Sequence, residues 1–433
     1  MAIVQILYKI KGLTKQEFLR NVLTLMTGIT IAQLLPILVS PILTRIYNPV
    51  DFGVYALYIS IISIVSVAVT LRYEFAIVTP QKRGDALNIF TLSLIASFVT
   101  SFLMFIIVIL FHRDILDLLD NKSIGIWLYL IPFATFLIGV TQTFNYWFNR
   151  EKRFGVLSKS RIIQTFGNII PNIAIGIIYK NEFGLIFGHL LGAVASVIYL
   201  IYNFVRDREI IKELKEHASL SKIKEQALTY KEYPQFNMAS AFLDTMSLQL
   251  PALCVSKTYS SVDLGYYNLT TRTISMPLSV ISTSVSQVFF QKISEAYNQC
   301  KPLRPIILNT AKYLSLISIF PLLILLFFGP QLFSFVFGEK WSVAGEFARI
   351  LVFSYAIKFV VSPLSVAFLA VGAVRRLFYL QFFRFVFTVF LLFLSLNIDV
   401  IYFLIFYSLY EFCYYILYFI FILKLQTKKN EQE

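Results

Sequence analysis

Five ionisable residues, Asp244, Arg272, Lys358, Arg384 and Glu411, stand inside apolar stretches long enough to cross a bilayer. A charge at membrane depth costs at least ~2.5 kcal/mol on insertion scales, so such residues face a polar cavity, pair with one another, or mark a path for ions or charged substrate. All five lie in the second half of the chain. Arg272, Lys358 and Arg384 suit an anionic ligand. Asp244 and Glu411 suit coupling to a gradient, since a carboxylate can take up a proton or a cation on one face and release it on the other. The structural alternative for the mid-membrane charges is simple ion pairing, for instance Lys358 with Glu411. Lys312 and Arg349 lie close enough to span ends to reach the interface.

The neighbouring polar residues fall on helical faces. Asn237, Ser240, Asp244, Ser247 and Pro251 recur at intervals of 3 and 4, as do Asn268, Arg272, Ser275, Ser279, Ser282 and Ser286. Thr135, Gly139, Gln142, Tyr146 and Asn149 make another such face, and Ser63, Ser66 and Thr70 lead to Arg72 and Glu74. Small and hydroxyl residues at this spacing also serve dry helix packing. A stripe that includes Arg or Asp needs a partner or water, and it reads as the wall of a hydrated cavity. Arg272, Lys358, Arg384, Gln142, Tyr146, Asn268 and Ser275 are the binding candidates, and Asp244 and Glu411 the ion-coupling ones.

The elements that must position them are membrane helices. Of 433 residues 58% are hydrophobic and 14% charged, with Phe 43 and Tyr 25, outside the range of soluble domains. A span needs about 20 apolar residues. On that criterion twelve helices are expected, near 19–43, 54–72, 87–111, 124–147, 160–179, 183–205, 236–257, 265–290, 306–329, 344–371, 377–396 and 399–423. The expected class is an all-α polytopic membrane protein with two parallel six-helix bundles around a central cavity. Residues 1–205 and 234–433 form the bundles, and a cytoplasmic amphipathic linker helix occupies 206–233. Lys and Arg crowd alternate connections, and the others hold only Arg45, Arg113, Lys122, Lys180, Lys257 and Lys340. The positive-inside rule then puts both termini in the cytoplasm.

The same rule absorbs the net charge of +14, so no nucleic-acid partner is expected. Residues 1–18 lack a short apolar core with a cleavage site, and the first span is expected to be retained. Cys254, Cys300 and Cys413 show no metal or redox spacing. No HExxH, GxxxxGK or GxSxG occurs and the histidines are scattered, so neither an enzyme nor a bound metal or cofactor is expected.

One stretch is echoed. Arg45–Leu57 (RIYNPVDFGVYAL) and Lys257–Leu269 (KTYSSVDLGYYNL) share Tyr, Val, Asp, Gly, Tyr and Leu at corresponding positions. Each copy enters the second span of its half, as parallel repeats would. The alternative is a shared capping sequence, because Asp-x-Gly before a helix supplies a cap and a turn.

Several runs resemble the Wzx-type polysaccharide flippases of the multidrug/oligosaccharidyl-lipid/polysaccharide exporter superfamily. They are Ser40–Tyr55 (SPILTRIYNPVDFGVY), Leu71–Pro80 (LRYEFAIVTP), Val285–Glu295 (VSQVFFQKISE), Phe337–Gly345 (FGEKWSVAG) and Lys358–Ser365 (KFVVSPLS). The resemblance implies a two-lobed bundle in the bacterial inner membrane that carries an undecaprenyl-pyrophosphate-linked oligosaccharide between leaflets by alternating access, as in O-antigen or lipopolysaccharide assembly. Implied partners are that lipid-linked oligosaccharide, membrane lipids and other polysaccharide assembly proteins, with a proton or sodium gradient as the driving force. Arg272 and Lys358 would meet the pyrophosphate, with Arg384 in support, while the polar stripes and Tyr146 would accommodate sugars. Such flippases often carry Arg where this chain has Lys358, which keeps the charge and weakens a bidentate clamp. Rival readings are a multidrug exporter of the same superfamily and a membrane glycan polymerase or ligase. Three basic residues against two acidic ones argue against cationic drugs, and the short outer loops argue against a catalytic domain.

Overall fold

A computed structural model describes residues 30–217, 219–395 and 398–425, and every regular element among them is helical. The chain runs through α1 (Thr30–Ile46), α2 (Pro49–Ser66), α3 (Arg83–Leu110), α4 (His112–Leu119), α5 (Ile131–Arg150), α6 (Phe154–Tyr179) and α7 (Phe183–Val205). It continues with α8 (Arg208–His217), α9 (Leu220–Thr229), α10 (Met238–Thr258), α11 (Ser261–Asn298), α12 (Arg304–Phe337) and α13 (Ser342–Val361). Then come α14 (Ala367–Ala370), α15 (Val374–Ser395) and α16 (Val400–Leu423).

Ten of the described helical stretches are long and apolar enough to cross a membrane. They coincide with ten of the twelve expected spans, and the other two are the first and the seventh. The described part of the first, Thr30–Ile46, is short, and its expected start lies outside the described residues, as do both termini. The seventh, α10, has sufficient length, but Asp244, Gln249 and Lys257 lower its apolarity.

The surface pattern is the reverse of a soluble protein's. On α3 the buried side chains include Asn88, Ser93 and Ser97, whereas Phe98, Phe102 and Leu110 are exposed. Phe320, Phe327 and Phe335 stand out in the same way on α12. Lipid solvates such apolar faces, and helix association then depends on small and hydroxyl residues, such as the Ser93–Thr143 and Ser160–Ser196 hydrogen bonds. The protein is a multi-pass membrane protein.

The chain forms two compact units. The first gathers the described residues before Ser40 with Ile61–Ile115 and Gly125–Ala241, and the second gathers Ser40–Ser60, Leu116–Ile124 and the described residues from Phe242 onward.

The segment expected to form one linker helix is two helices, α8 and α9, with Ser219 accepting the Lys222 N–H as the cap of the second. Both belong to the first unit. Arg83 on α3 bridges Glu151 at 2.8 Å and Glu213 of α8 at 3.0 Å. Arg153 pairs with Asp207, Asn88 donates to the His217 carbonyl at 3.1 Å, and the Tyr73 hydroxyl donates to the Ala227 carbonyl at 3.1 Å. Burial works against the charge on Asp207, yet the Arg153 hydrogen bond and two backbone N–H groups hold its carboxyl below its ordinary value. A carboxylate whose folded pKa is depressed stabilises the fold above its unfolded pKa and loses that contribution as pH falls through the folded value. Amide protection in α8, taken relative to the intrinsic exchange rate at each pH, is therefore expected to fall below the ordinary carboxylate range and in Asp207→Asn at neutral pH. The effect should be modest, about 1 kcal/mol or less, because Arg153 is partly exposed. Protection in α8 indifferent to both changes would show that this pair does not hold the helix.

Candidate functional site

The serine stripe of α11 forms a wall in the second unit. Ser275, Ser279, Ser282 and Ser286 share a cavity of about 270 Å³ with Tyr355 and Lys358 of α13 and with Ser362. Each hydroxyl sits at helical spacing; Ser279 donates within the helix to the Met276 carbonyl at 2.7 Å, and Ser286 donates to the Pro363 carbonyl at 3.4 Å. Their oxygens are left to accept from a ligand. Lys358 lies half-buried in the last turn of α13, its ammonium 5.4 Å from the centre of the Tyr355 ring. Pro363 directly after that helix breaks it into the short turn Ser362–Val366.

Arg272 lies one turn before Ser275, half-buried and without an ion pair among the described residues. One further turn along, the Asn268 side-chain oxygen is buried with no hydrogen-bond partner among the described residues. Asp244 on α10 is half-buried and within electrostatic range of Lys358. Asn268, Arg272, Ser275, Lys358 and Asp244 all belong to the second unit.

Arg384 and Glu411, assigned separate roles above, meet. The Arg384 Nε donates to Glu411 Oε1 at 3.1 Å and its Nη2 to Oε2 at 3.0 Å, with exposures of 6% and 3%. The rings of Tyr414 and Tyr415 lie 5.3 and 5.7 Å from the guanidinium carbon. Thr388 and Tyr410 donate to the Arg384 carbonyl, each at 2.8 Å. The guanidinium fork is thus directed at a carboxylate, a geometry that satisfies both charges where water is absent. The ion-pair alternative weighed for Glu411 named Lys358, and the partner found is Arg384.

Gln142 and Tyr146 lie on α5 in the first unit, beside a cluster around Glu74. After α2 the chain turns through Leu71 (φ 51) and Arg72 (φ 64), both left-handed, and this turn carries Glu74 inward to 1% exposure. Thr70 donates to its carboxylate and Arg72 lies 3.8 Å away. Burial pushes the Glu74 carboxyl above its ordinary value, against the pull of Thr70, its own backbone and Arg72. Phe75 packs on Tyr146 with ring centres 4.8 Å apart. Gln142 Oε1, Asn145 Oδ1 and Arg72 Nε are buried without a partner among the described residues. The signal for Glu74 in the sequence is the Ser63, Ser66, Thr70 stripe that leads to it and to Arg72, with Thr70 four residues before Glu74.

At one end of the second unit the two echoed runs face each other. A Cβ placed on Gly53 would lie 1.8 Å from the Ser261 carbonyl oxygen, and one on Gly265 would lie 1.9 Å from that of Pro49. Each glycine therefore admits the backbone at the start of the other copy's helix, a reciprocal contact that any side chain would block. The Asp of each copy also caps its turn: Asp51 Oδ2 accepts the Asn48 N–H at 2.7 Å, and Asp263 accepts the Ser260 hydroxyl at 2.5 Å. The capping reading of the echo thus describes a real feature.

The same end draws in the FGEKWSVAG run. Lys340 donates to the Tyr47 carbonyl at 2.6 Å and to Asn48 Oδ1 at 3.1 Å, and the Trp341 indole donates to the Thr44 carbonyl at 3.0 Å. Trp341 meets Phe52 edge-on at 5.0 Å. Asn121 donates to Ser256 at 3.2 Å and Ser261 at 2.9 Å.

The sequence pattern of a family described as polysaccharide biosynthesis protein matches residues 42–346. An uncharacterized membrane protein in the cps region of Klebsiella pneumoniae is 24% identical over 327 residues, 75% of this chain and 65% of that protein. The teichuronic acid biosynthesis protein TuaB of Bacillus subtilis (strain 168) is 21% identical over 291 residues, 65% of this chain and 56% of TuaB. The matched stretch spans less than two thirds of either relative's length. Among solved structures, the inward-facing conformation of a multidrug resistance MATE family transporter of the MOP superfamily superposes with a TM-score of 0.71 at 15% identity, covering 92% of this chain and 93% of that one. The lipid II flippase MurJ in its inward closed conformation gives 0.64 at 13% identity, covering 93% and 88%. At such identities the likeness is one of fold. The family pattern, in contrast, takes in more than half of the sequence, including the reciprocal glycine contact and the Lys340–Trp341 turn, and the chain belongs to the polysaccharide biosynthesis protein family.

Proposed function

We propose that the protein is a flippase, moving a polyprenyl-pyrophosphate-linked oligosaccharide from the inner to the outer leaflet of the bacterial cytoplasmic membrane by alternating access. The observation that carries this reading is the pairing of Lys358 with a serine-lined cavity on the face of α11 that also bears Arg272. A pyrophosphate diester brings about two negative charges and a glycan many hydroxyls, so passage needs basic groups not already neutralised and a wall of hydroxyl partners. Arg272 and Lys358 hold the pyrophosphate. Asn268 and Ser275 meet sugar hydroxyls, while the polyprenyl tail remains in lipid. Arg384, its fork engaged by Glu411, is neutralised within that pair and stands apart from Arg272 and Lys358. Asp244 is the coupling carboxylate, without an ion pair among the described residues, and a proton or sodium gradient drives the cycle. Membership of the family supports the substrate class, and the distribution of Lys and Arg supports cytoplasmic termini.

A multidrug exporter is the competing reading, because a MATE transporter shares the fold. A cationic drug would meet Lys358 and Arg272 with only Asp244 to offset them, which disfavours it.

Reconstitution in liposomes decides the matter. Purified protein should carry a polyprenyl-pyrophosphate glycan across the bilayer, and Lys358→Ala should slow that movement at least about tenfold, the scale of one lost charge-assisted hydrogen bond. Asp244→Asn should remove the response to an imposed gradient while leaving slow equilibration. Movement at the parent rate in Lys358→Ala, with export of a cationic dye, would favour the drug exporter.

A further inference from the structure

α12 and α13 cross in the second unit at a pair of glycines. A Cβ on Gly345 would lie 2.4 Å from the Gly329 carbonyl oxygen, and one on Gly329 would lie 2.7 Å from that of Gly345. This close crossing sets the next turn of α13, and the stem of Arg349 runs over Gly329, where an added Cβ would meet Arg349 Cγ at 2.9 Å. Pro330 lies inside α12. Having no N–H, it leaves the Leu326 carbonyl, four residues earlier, without its helical donor. Arg349 supplies one: its Nε donates to that carbonyl at 3.0 Å. A single bond thus orients the guanidinium, and no ion pair among the described residues occupies its two Nη groups.

Glu346 stands one turn earlier on the same face, also without an ion pair among the described residues. Arg349 and Glu346 are the two charged residues at a groove of about 720 Å³ between α12, α13 and α16, whose apolar lining includes Ile350, Phe353, Ile405 and Phe412. None of its lining residues belongs to the serine-lined cavity. Both charges lie in the first two turns of α13, close to the start of the span Glu339–Ala370, where a bilayer presents lipid headgroups.

We propose that this groove binds a phospholipid with a zwitterionic, primary-amine headgroup. The lipid phosphate accepts from the Arg349 Nη groups, the ammonium donates to Glu346, and one acyl chain follows α16 toward Phe412. Charge complementarity selects the headgroup. A purely anionic lipid would meet Arg349 but be repelled by Glu346, and a quaternary amine has no N–H to donate to the carboxylate. Separation of the charges by three helical positions puts their Cβ atoms about 5–6 Å apart, so that a phosphate and its ethanolamine nitrogen reach both at once.

Native mass spectrometry of the delipidated protein tests this with phosphatidylethanolamine, phosphatidylcholine and phosphatidylglycerol of matched acyl chains. Phosphatidylethanolamine should be retained at least about fivefold over the other two, the scale of a single charge-assisted hydrogen bond. Arg349→Gln should abolish retention, and Glu346→Gln should bring phosphatidylethanolamine down to the level of phosphatidylcholine. Leu409→Trp, which fills the groove without touching either charge, should also abolish retention and covers the case in which the Arg349 variant does not fold. Lys358→Ala should keep the preference, which separates this site from the transport reading. Equal retention of the three lipids, or a preference that survives Glu346→Gln, would overturn the assignment.

Discussion

Glu411→Gln should cost about 3–5 kcal/mol of stability, because it leaves the Arg384 guanidinium buried without its counter-charge. With Arg384 at 6% and Glu411 at 3% exposure, neither group has water to turn to. The neutral amide can accept one of the two bonds at 3.0 and 3.1 Å but removes the charge that both were built on. Thermal unfolding followed by size-exclusion chromatography in detergent should show a large downward shift. A double replacement, Arg384→Met with Glu411→Met, should recover most of it, since an apolar pair of similar volume carries no desolvation penalty. Transport then gives an independent reading. A stable double variant that no longer moves the glycan assigns the pair a role in the cycle, whereas full transport makes it a strut between α15 and α16. Glu411→Gln melting at the parent temperature would show that the pair is not the stabilising contact described.

Gly53→Ala and Gly265→Ala should each reduce transport at least about tenfold. The reason is steric. A methyl group 1.8 Å from the Ser261 carbonyl, or 1.9 Å from that of Pro49, cannot be absorbed by a rotamer change, because the obstacle is backbone. The start of α2 must move away from the start of α11, and with it go the Lys340 bonds to Tyr47 and Asn48. Under the proposed alternating-access cycle, in which these ends would part and meet again, a variant unable to close them would accumulate in the open form. In a background lacking Cys254, Cys300 and Cys413, thiol labelling of Ser261→Cys should rise when Gly53→Ala is added. Unchanged labelling and unchanged transport would rule out the contact as a moving closure. Lowered melting with no change in labelling would make it a fixed joint.

The two predictions differ in how far the sequence pointed to them. The glycine contact was half visible. The echo between RIYNPVDFGVYAL and KTYSSVDLGYYNL marked both copies, and the Asp-x-Gly pattern gave the caps, yet nothing in either run says that each glycine receives the other copy's backbone. The Arg384–Glu411 pair was visible only as two improbable charges. They are 27 residues apart on different helices, and Lys358 lies as deep in its own span, so the choice of partner depended on the rotation of each helix about its axis.

Hydropathy by itself determined the class of the protein and the course of ten of its spans, because a bilayer demands about 20 apolar residues for each crossing and the requirement is local. The 3–4 spacing of Asn268, Arg272, Ser275, Ser279, Ser282 and Ser286 likewise sufficed to place them on one face of α11, since helix geometry is a property of neighbours in sequence. What that face meets was decided by tertiary structure alone. Lys358 joins the serines, Glu411 closes on Arg384, and Glu74 is drawn inside by two left-handed residues. Those outcomes follow from how whole helices rotate and cross, which small differences in packing at glycines and serines control and which no window of sequence encodes.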